Sequence, residues 1–336
     1  MKSLKESIFK ESIFKESIFK ESIFKESIFS DVEDIVNSDS ALIEQFLNDN
    51  YKIRGTYVIK NNTVDVDGTV KVKNKKIESL TSGLFRFGTV GGDFLCVNCE
   101  NLTSLKGAPK EVSRTFDCSW CGSLTSLEGA PAKVDRDFSC SYCPKLKSLK
   151  GAPVDIGYNF VCSGCHGLTT LEGVPKKVGG WFDCSDCYKL TTLKGASMEV
   201  GGNFKCNSCP ELKSINGAPK EVGGDFRCSY CPKLTSLEGA PEKVGGVFDC
   251  SSCKKLKFLN CVSKEVGLRF DCSDCPNLVS LEGAPEEVGE DFYCSYCSKL
   301  ASLEGAPEKI GGEINCRNCI NLTITDQDRK KYRIKY

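Results

Sequence analysis

Twenty-two cysteines stand in eleven Cys-x-x-Cys pairs, whose first members fall at 96, 118, 140, 162, 184, 206, 228, 250, 272, 294 and 316. Zinc and iron–sulfur centres are built from such pairs, because two thiolates at this spacing reach one ion. Two neighbouring pairs would supply four thiolates. Three features turn the reading toward structural thiols instead. The pair recurs in every unit, whereas metal sites would need only some of them. Each cysteine falls where the pattern reserves a core position. His166 is the sole histidine, which leaves almost no material for mixed Cys/His sites. We therefore expect the first cysteine of each pair to act as a small hydrophobe. The second should bond neighbouring backbone. No metal or other cofactor is expected.

The total of 23 cysteines is odd, so complete internal disulfide pairing is impossible. Stacked strands ~4.8 Å apart would bring cysteines within disulfide reach, but in-register side chains have poor torsions for the bond. A reducing intracellular compartment with mostly free thiols is the expectation. One histidine also leaves no Ser/His/Asp set to assemble, and the recurrent Gly-Gly reads as a turn rather than a phosphate loop opening a helix. The chain is expected not to be an enzyme. Its 45 Lys+Arg balance 45 Asp+Glu, which argues against nucleic-acid binding through bulk basicity. No stretch approaches the ~20 apolar residues of a membrane span, and Lys and Glu interrupt the N-terminus every five residues, unlike a signal peptide.

These pairs must be positioned by a repeat. From Val90 onward one unit recurs with a period of 22 and no insertion. Two residues before each pair stands Phe94, Phe116, Phe138 and so on to Phe292, then Ile314. Three residues after it stands Leu102, Leu124 and so on to Leu322. A second aliphatic follows at Leu105, Leu127 and onward, then Gly-Ala-Pro, a Val or Ile, and often Gly-Gly, as in Gly223-Gly224. A compact globule does not need equal spacing over such a length. A solenoid does, because each turn must set its apolar residues over those of the turn below. Phe-x-Cys alternates with period two and predicts a short strand with both side chains inward. Gly-Ala-Pro predicts a bend. Twenty-two residues are too few for a strand and a long helix, so extended or 3₁₀-like segments are expected on the outer side.

The pattern resembles the leucine-rich repeat, with Phe226-x-Cys228-x-x-Cys231 standing on its L-x-L-x-x-C portion. Leu234-Thr235-Ser236-Leu237 resembles the segment that follows in short bacterial repeats. The resemblance covers about residues 70–325. It departs from the family in placing Phe and Cys where Leu is usual. The longer phrase from Leu234 to Gly246 also resembles repeat proteins encoded by large tailed phages and giant viruses, which would place the chain in a host cytoplasm. The implied fold is a mainly β, leucine-rich-repeat-like solenoid of eleven units with short parallel strands and little helix outside the N-terminal region.

We divide the chain into a low-complexity leader at 1–29, an N-terminal helical and β cap at 30–89, the solenoid at 90–325, and a basic C-terminal tail at 326–336. The leader repeats KESIF five times from Lys5 to Phe29. A five-residue step advances about 140° around a helix, so Ile and Phe hold no single face. In the cap, Ser30-Asp31-Val32-Glu33 has capping-box spacing, and Ala41, Leu42, Ile43, Phe46 and Leu47 form one helical face. Val64, Val66, Val70 and Val72 alternate around Asp67-Gly68, which predicts either a hairpin or irregular first coils. Cys261 stands outside the paired pattern, in a drifted unit.

What remains is the face the strands expose. Acidic residues occupy much of the column before each Phe (Asp93, Asp137, Asp225, Asp291) and of the column between Phe and Cys (Asp117, Asp183, Asp249, Asp271). Aromatic and basic residues interrupt them: Trp120, Tyr142, Trp181, Arg227, Tyr230, Tyr293 and Tyr296. The position after the first cysteine is Ser in eight of eleven units, which predicts a hydroxyl ladder. Aromatics among acids on a concave sheet suit protein recognition. The expected function is therefore non-enzymatic binding of a protein partner through the concave strand face, with those seven residues as candidate contacts and with no nucleic-acid or membrane partner. The alternatives are a cysteine-rich metal-binding or redox-linked protein, and a structural component of a virus particle.

Overall fold

The computed structural model describes residues 39–196, 199–260 and 263–336. The KESIF leader, the Ser30–Glu33 capping box and Cys261 lie outside them. The chain is a β-solenoid of stacked coils with parallel strands. Each 22-residue unit contributes two strands of two residues, and almost all of them pair in parallel and in register with their counterparts one unit on, as in Phe138↔Phe160 and Val222↔Val244. The eleven Phe-x or Ile-x strands, with three strands from the two ends of the described chain, form one fourteen-stranded sheet. The strands ending in Val or Ile form a second ladder, split into a six-stranded and a seven-stranded sheet between Asp155–Ile156 and Lys177–Val178.

The second ladder is the extended segment expected opposite the Phe strands. Its inward Val or Ile column is buried from Val112 to Val288, while its outward residues are charged and of mixed sign. Lys177–Glu199 and Lys243–Glu265 ion pairs at 3.3 and 3.2 Å cross between coils there. They are exposed, so each adds at most about 1 kcal/mol.

Between the two ladders the core is a set of columns. Phe94 to Phe292 are all fully buried, and consecutive rings sit 5.0 to 5.5 Å apart between centroids. The cysteine and leucine columns beside them are buried almost throughout. Coils can approach this closely only where no side chain intervenes. A Cβ on Gly223 would stand 2.1 Å from the Gly201 carbonyl oxygen, and one on Gly245 would stand 2.2 Å from that of Gly223. The Gly-Gly of the sequence is thus a spacer column as much as a bend.

The N-terminal segment continues both ladders. Strands β1 (Tyr51–Arg54), β2 (Tyr57–Lys60), β3 (Thr63–Val66) and β4 (Thr69–Val72) precede β5 (Arg86–Val90) and β6 (Phe94–Leu95). β3 pairs in parallel with β5 in the second ladder and β4 with β6 in the first, so the two form an irregular opening coil. The Asp67-Gly68 step is a corner between sheets. The hairpin lies earlier, where β2 and β3 pair antiparallel across Asn61 and Asn62, both at positive φ. β1 pairs antiparallel with β4 and ends the first sheet. A helix over residues 39–50 buries Ile43 and Leu47, with Phe46 half-buried; Ala41 and Leu42 are exposed, so the apolar face is narrower than the sequence suggests. Tyr51, Phe85 and Phe87 meet edge to face and close the phenylalanine column at Phe94.

At the other end the polar tail is ordered. Thr325 and Asp328 form a capping box on the helix Asp326–Lys331, an element the sequence reading did not anticipate. Ile334–Lys335 then adds a last parallel strand beside Ile314–Asn315. Among the described residues no helix is long and apolar enough to cross a membrane.

Two substitutions test this packing by chemical denaturation. Phe226→Ala removes a fully buried ring and is expected to destabilise by ~3–5 kcal/mol, with neighbouring coils loosening as well. Gly245→Ala should also destabilise, although at a permissive site Gly→Ala stabilises by ~0.4–1 kcal/mol. A neutral or stabilising Gly245→Ala would show that the coils are not held at glycine contact.

Candidate functional site

The Cys-x-x-Cys segment is the corner where each chain turn leaves the first sheet. The first cysteine follows the Phe-x strand, its N–H donating to the next coil, as from Cys228 to the Asp249 carbonyl at 2.8 Å. The residue just before the second cysteine has positive φ in every unit: Asn98, Trp120, Tyr142, Gly164, Asp186, Ser208, Tyr230, Ser252, Asp274, Tyr296 and Asn318. This left-handed residue folds the chain back so that the second thiol points inward. There it donates to the carbonyl of the first cysteine one coil earlier, as from Cys121 to Cys96 (3.1 Å), Cys231 to Cys206 (3.4 Å) and Cys297 to Cys272 (3.3 Å). Several first cysteines donate the opposite way along the stack, Cys184 to Lys205 O and Cys272 to Tyr293 O, both at 3.3 Å. The thiols thus serve as small core groups and as weak donors to otherwise buried carbonyls.

Burial raises nearly all of these thiols, because a thiolate would lose its hydration. Cys231 and Cys275 are each pushed up to about 12. Three second cysteines are held below the ordinary value by hydrogen bonds from neighbouring thiols: Cys121 by Cys99, Cys165 by Cys140, and Cys319 by Cys294 and Cys297. Of the three, Cys319 in the last repeat is half-buried and the other two are buried. Among the described residues no three His, Cys, Asp or Glu side chains are grouped to hold a metal ion.

The acidic columns of the first sheet are largely committed to the fold. Where Asp or Asn precedes Phe, its side chain accepts the backbone N–H of the residue one coil on, Asp93 from Thr115 (3.1 Å), Asn203 from Asp225 (2.8 Å) and Asp291 from Glu313 (2.9 Å). The Asp between Phe and Cys accepts from the N–H two residues later, as at Asp117–Ser119 (2.9 Å) and Asp271–Ser273 (3.0 Å). The serine hydroxyls make only a partial ladder: Ser119 meets Ser139 at 2.7 Å and Ser163 meets Ser141 at 3.3 Å, while Ser251 turns to Asp249. Sequence alone suggested these polar columns as surface for a partner. In the structure most are capping groups.

The seven candidate contacts fall into three settings. Trp120, Tyr142, Tyr230 and Tyr296 occupy the left-handed corner, beyond the strands rather than on them, and are exposed. Trp120 and Tyr142 stack at 4.1 Å, and the Tyr142 ring lies over Gly164, where an added Cβ would meet it at 2.4 Å. Trp181 stands just before its strand, donates its backbone N–H to Asn159 Oδ1 at 2.9 Å, and carries Lys205 over its exposed ring. Arg227 and Tyr293 are on strands and half-buried. Arg227 donates to Asp225 Oδ2 through Nε at 3.2 Å and Nη2 at 2.9 Å, and Tyr293 donates to Asp291 Oδ2 under the Arg269 guanidinium. The structure therefore joins Trp120 with Tyr142 and leaves Tyr230 and Tyr296 as separate exposed rings. Sequence reasoning missed His166 and Tyr188, stacked at 4.1 Å one position past the second cysteine; comparing that column across units would have exposed them.

The raised thiols predict an alkaline limit to stability. An unfolded thiol releases its proton near 9.0, while Cys231 and Cys275 hold theirs to about 12. The folded state binds the extra protons, so this stabilisation is fully present below pH ~9 and is lost as pH rises toward ~12. Thermal melts across that range should fall steeply, and at pH 8 thiol reagents should label Cys319 first and the remainder only after denaturation. Rapid native labelling of most thiols would overturn the assignment.

No protein-family model matches the chain, and a search of curated proteins finds no match. Among solved structures, the chain is similar to a leucine-rich repeat protein from Bacteroides ovatus, at 13% identity and a TM-score of 0.35, over 84% of this chain and 98% of that one.

Proposed function

We propose that the chain is a non-enzymatic scaffold that binds a protein partner through aromatic side chains at the left-handed corner and the adjoining strand face. One observation carries this reading. At a position where other units place Asn, Asp, Ser or Gly, four units place Trp120, Tyr142, Tyr230 or Tyr296. A bulky residue at positive φ is strained by roughly 1–2 kcal/mol. Tyr230 and Tyr296 are also 63% and 59% exposed, so neither ring returns that strain through core packing. Large aromatics held rigidly in solvent are the usual anchors of protein interfaces. The strand face adds the Arg227–Asp225 pair and the Tyr293–Arg269 contact as polar surroundings.

Partner capture by the wild-type chain and a Tyr230→Asn, Tyr296→Asn double variant, used as baits in one cell extract, tests the proposal. The variant should melt at the same or a higher temperature, since Asn tolerates the left-handed region better. It should lose the proteins that the wild type captures. Identical capture by both baits, or unfolding of the variant, would remove these rings from the site.

A further inference from the structure

The first sheet begins with a charge pattern that later coils do not repeat. Lys52 on β1 lies directly opposite Lys71 on β4, and Arg54 lies opposite Thr69. Like charges placed across a strand pair destabilise it. Among the described residues, Lys52, Arg54 and Lys71 have no carboxylate partner. They line a pocket of about 560 Å³ together with Lys73, Lys75 and Arg114, over Val72 and Leu95. Asp93 is the single carboxylate in its wall, and it is occupied: Arg114 lies 3.7 Å away and the Thr115 N–H donates to it. Lys75 is fixed by bonds to the carbonyls of Val72 at 3.1 Å and Val97 at 2.6 Å, and Lys73 by one to the Asn48 carbonyl. These bonds hold the ammonium groups in place without neutralising them. Six cations against one committed carboxylate, in a chain whose total charges balance at 45 to 45, form a local excess that the described residues do not compensate.

We propose that this pocket binds a small anion carrying two or more phosphoryl groups. Its volume suits a ligand of that size. Several closely spaced negative charges are needed to match its cations, and Arg54 supplies a planar fork that fits phosphate oxygens. An extended nucleic acid fits less well, because the strand positions that continue the face carry Asp117, Asp183, Asp249 and Asp271, which would repel a long polyanion.

Titration calorimetry of the full chain at fixed ionic strength provides the test, with inorganic tripolyphosphate, orthophosphate and citrate as probes. Tripolyphosphate should bind the wild type most tightly. Lys71→Glu should weaken it by about tenfold or more, while Lys177→Glu, on the second ladder, should leave it unchanged. Because Lys71→Glu also replaces a repulsion with an attraction to Lys52, its melting temperature should hold or rise. Lys71→Gln provides the same comparison if the charge reversal does not fold. The proposal fails if citrate or orthophosphate binds as tightly as tripolyphosphate. It also fails if the Lys71 and Lys177 variants behave alike, or if only an RNA oligonucleotide binds.

Discussion

Each coil can rest on the one below only at the separation of a parallel backbone hydrogen bond, and every residue column meets that condition in its own way. Glycine meets it by having no side chain where Gly201, Gly223 and Gly245 lie under one another's carbonyls. Phenylalanine meets it by stacking or tilting its rings at slightly more than the strand spacing. Cysteine meets it with a thiol short enough to remain inside and long enough to reach the carbonyl of the preceding coil. Asp and Asn meet it by bonding the backbone of the following coil. One insertion within a unit would break all four arrangements together, which is why the period never varies.

That constraint also explains why some polar residues that look functional in the sequence are structural. A solenoid corner leaves N–H groups without a ladder partner, and short carboxylate or amide side chains are the nearest acceptors. Asp117 and Asp183 belong to this class despite facing outward. The aromatics at the left-handed corner do not, because they satisfy no backbone group that Asn or Ser would leave unsatisfied. A side chain that makes the fold harder to hold, at a place where smaller residues serve equally well, carries more functional information than its exposure alone.

The repeating columns were legible in the sequence because they depend on period, and period survives without any knowledge of geometry. Phe226, Cys228, Cys231 and Leu234 are buried where their spacing placed them. The left-handed corner was not legible as one position, since its eleven occupants range from Gly to Trp; its Asn, Asp, Ser and Gly members share a tolerance of positive φ that becomes visible only in column. At Asp67-Gly68 the sequence left a hairpin and irregular first coils both open, because the turn signal is local; pairing across the coil decided for the irregular coil, and the hairpin lies at Asn61-Asn62. The basic pocket was hidden by averaging. Five of its six cations lie between Lys52 and Lys75 and the sixth is Arg114, and the neutral total of the chain conceals them.

The interruption of the second ladder between Ile156 and Val178 has a mechanical consequence. Along most of its length the rod is held by two parallel rails of backbone hydrogen bonds, and a bending load is shared between them. At that junction the Val strands are not paired and the Gly180 N–H to Tyr158 carbonyl bond at 2.7 Å crosses on that side, while the Phe-strand rail runs on through Phe160 and Phe182. Resistance to bending is therefore uneven in direction there. The rod gives most readily by opening on the Val side, with the intact phenylalanine rail as its pivot.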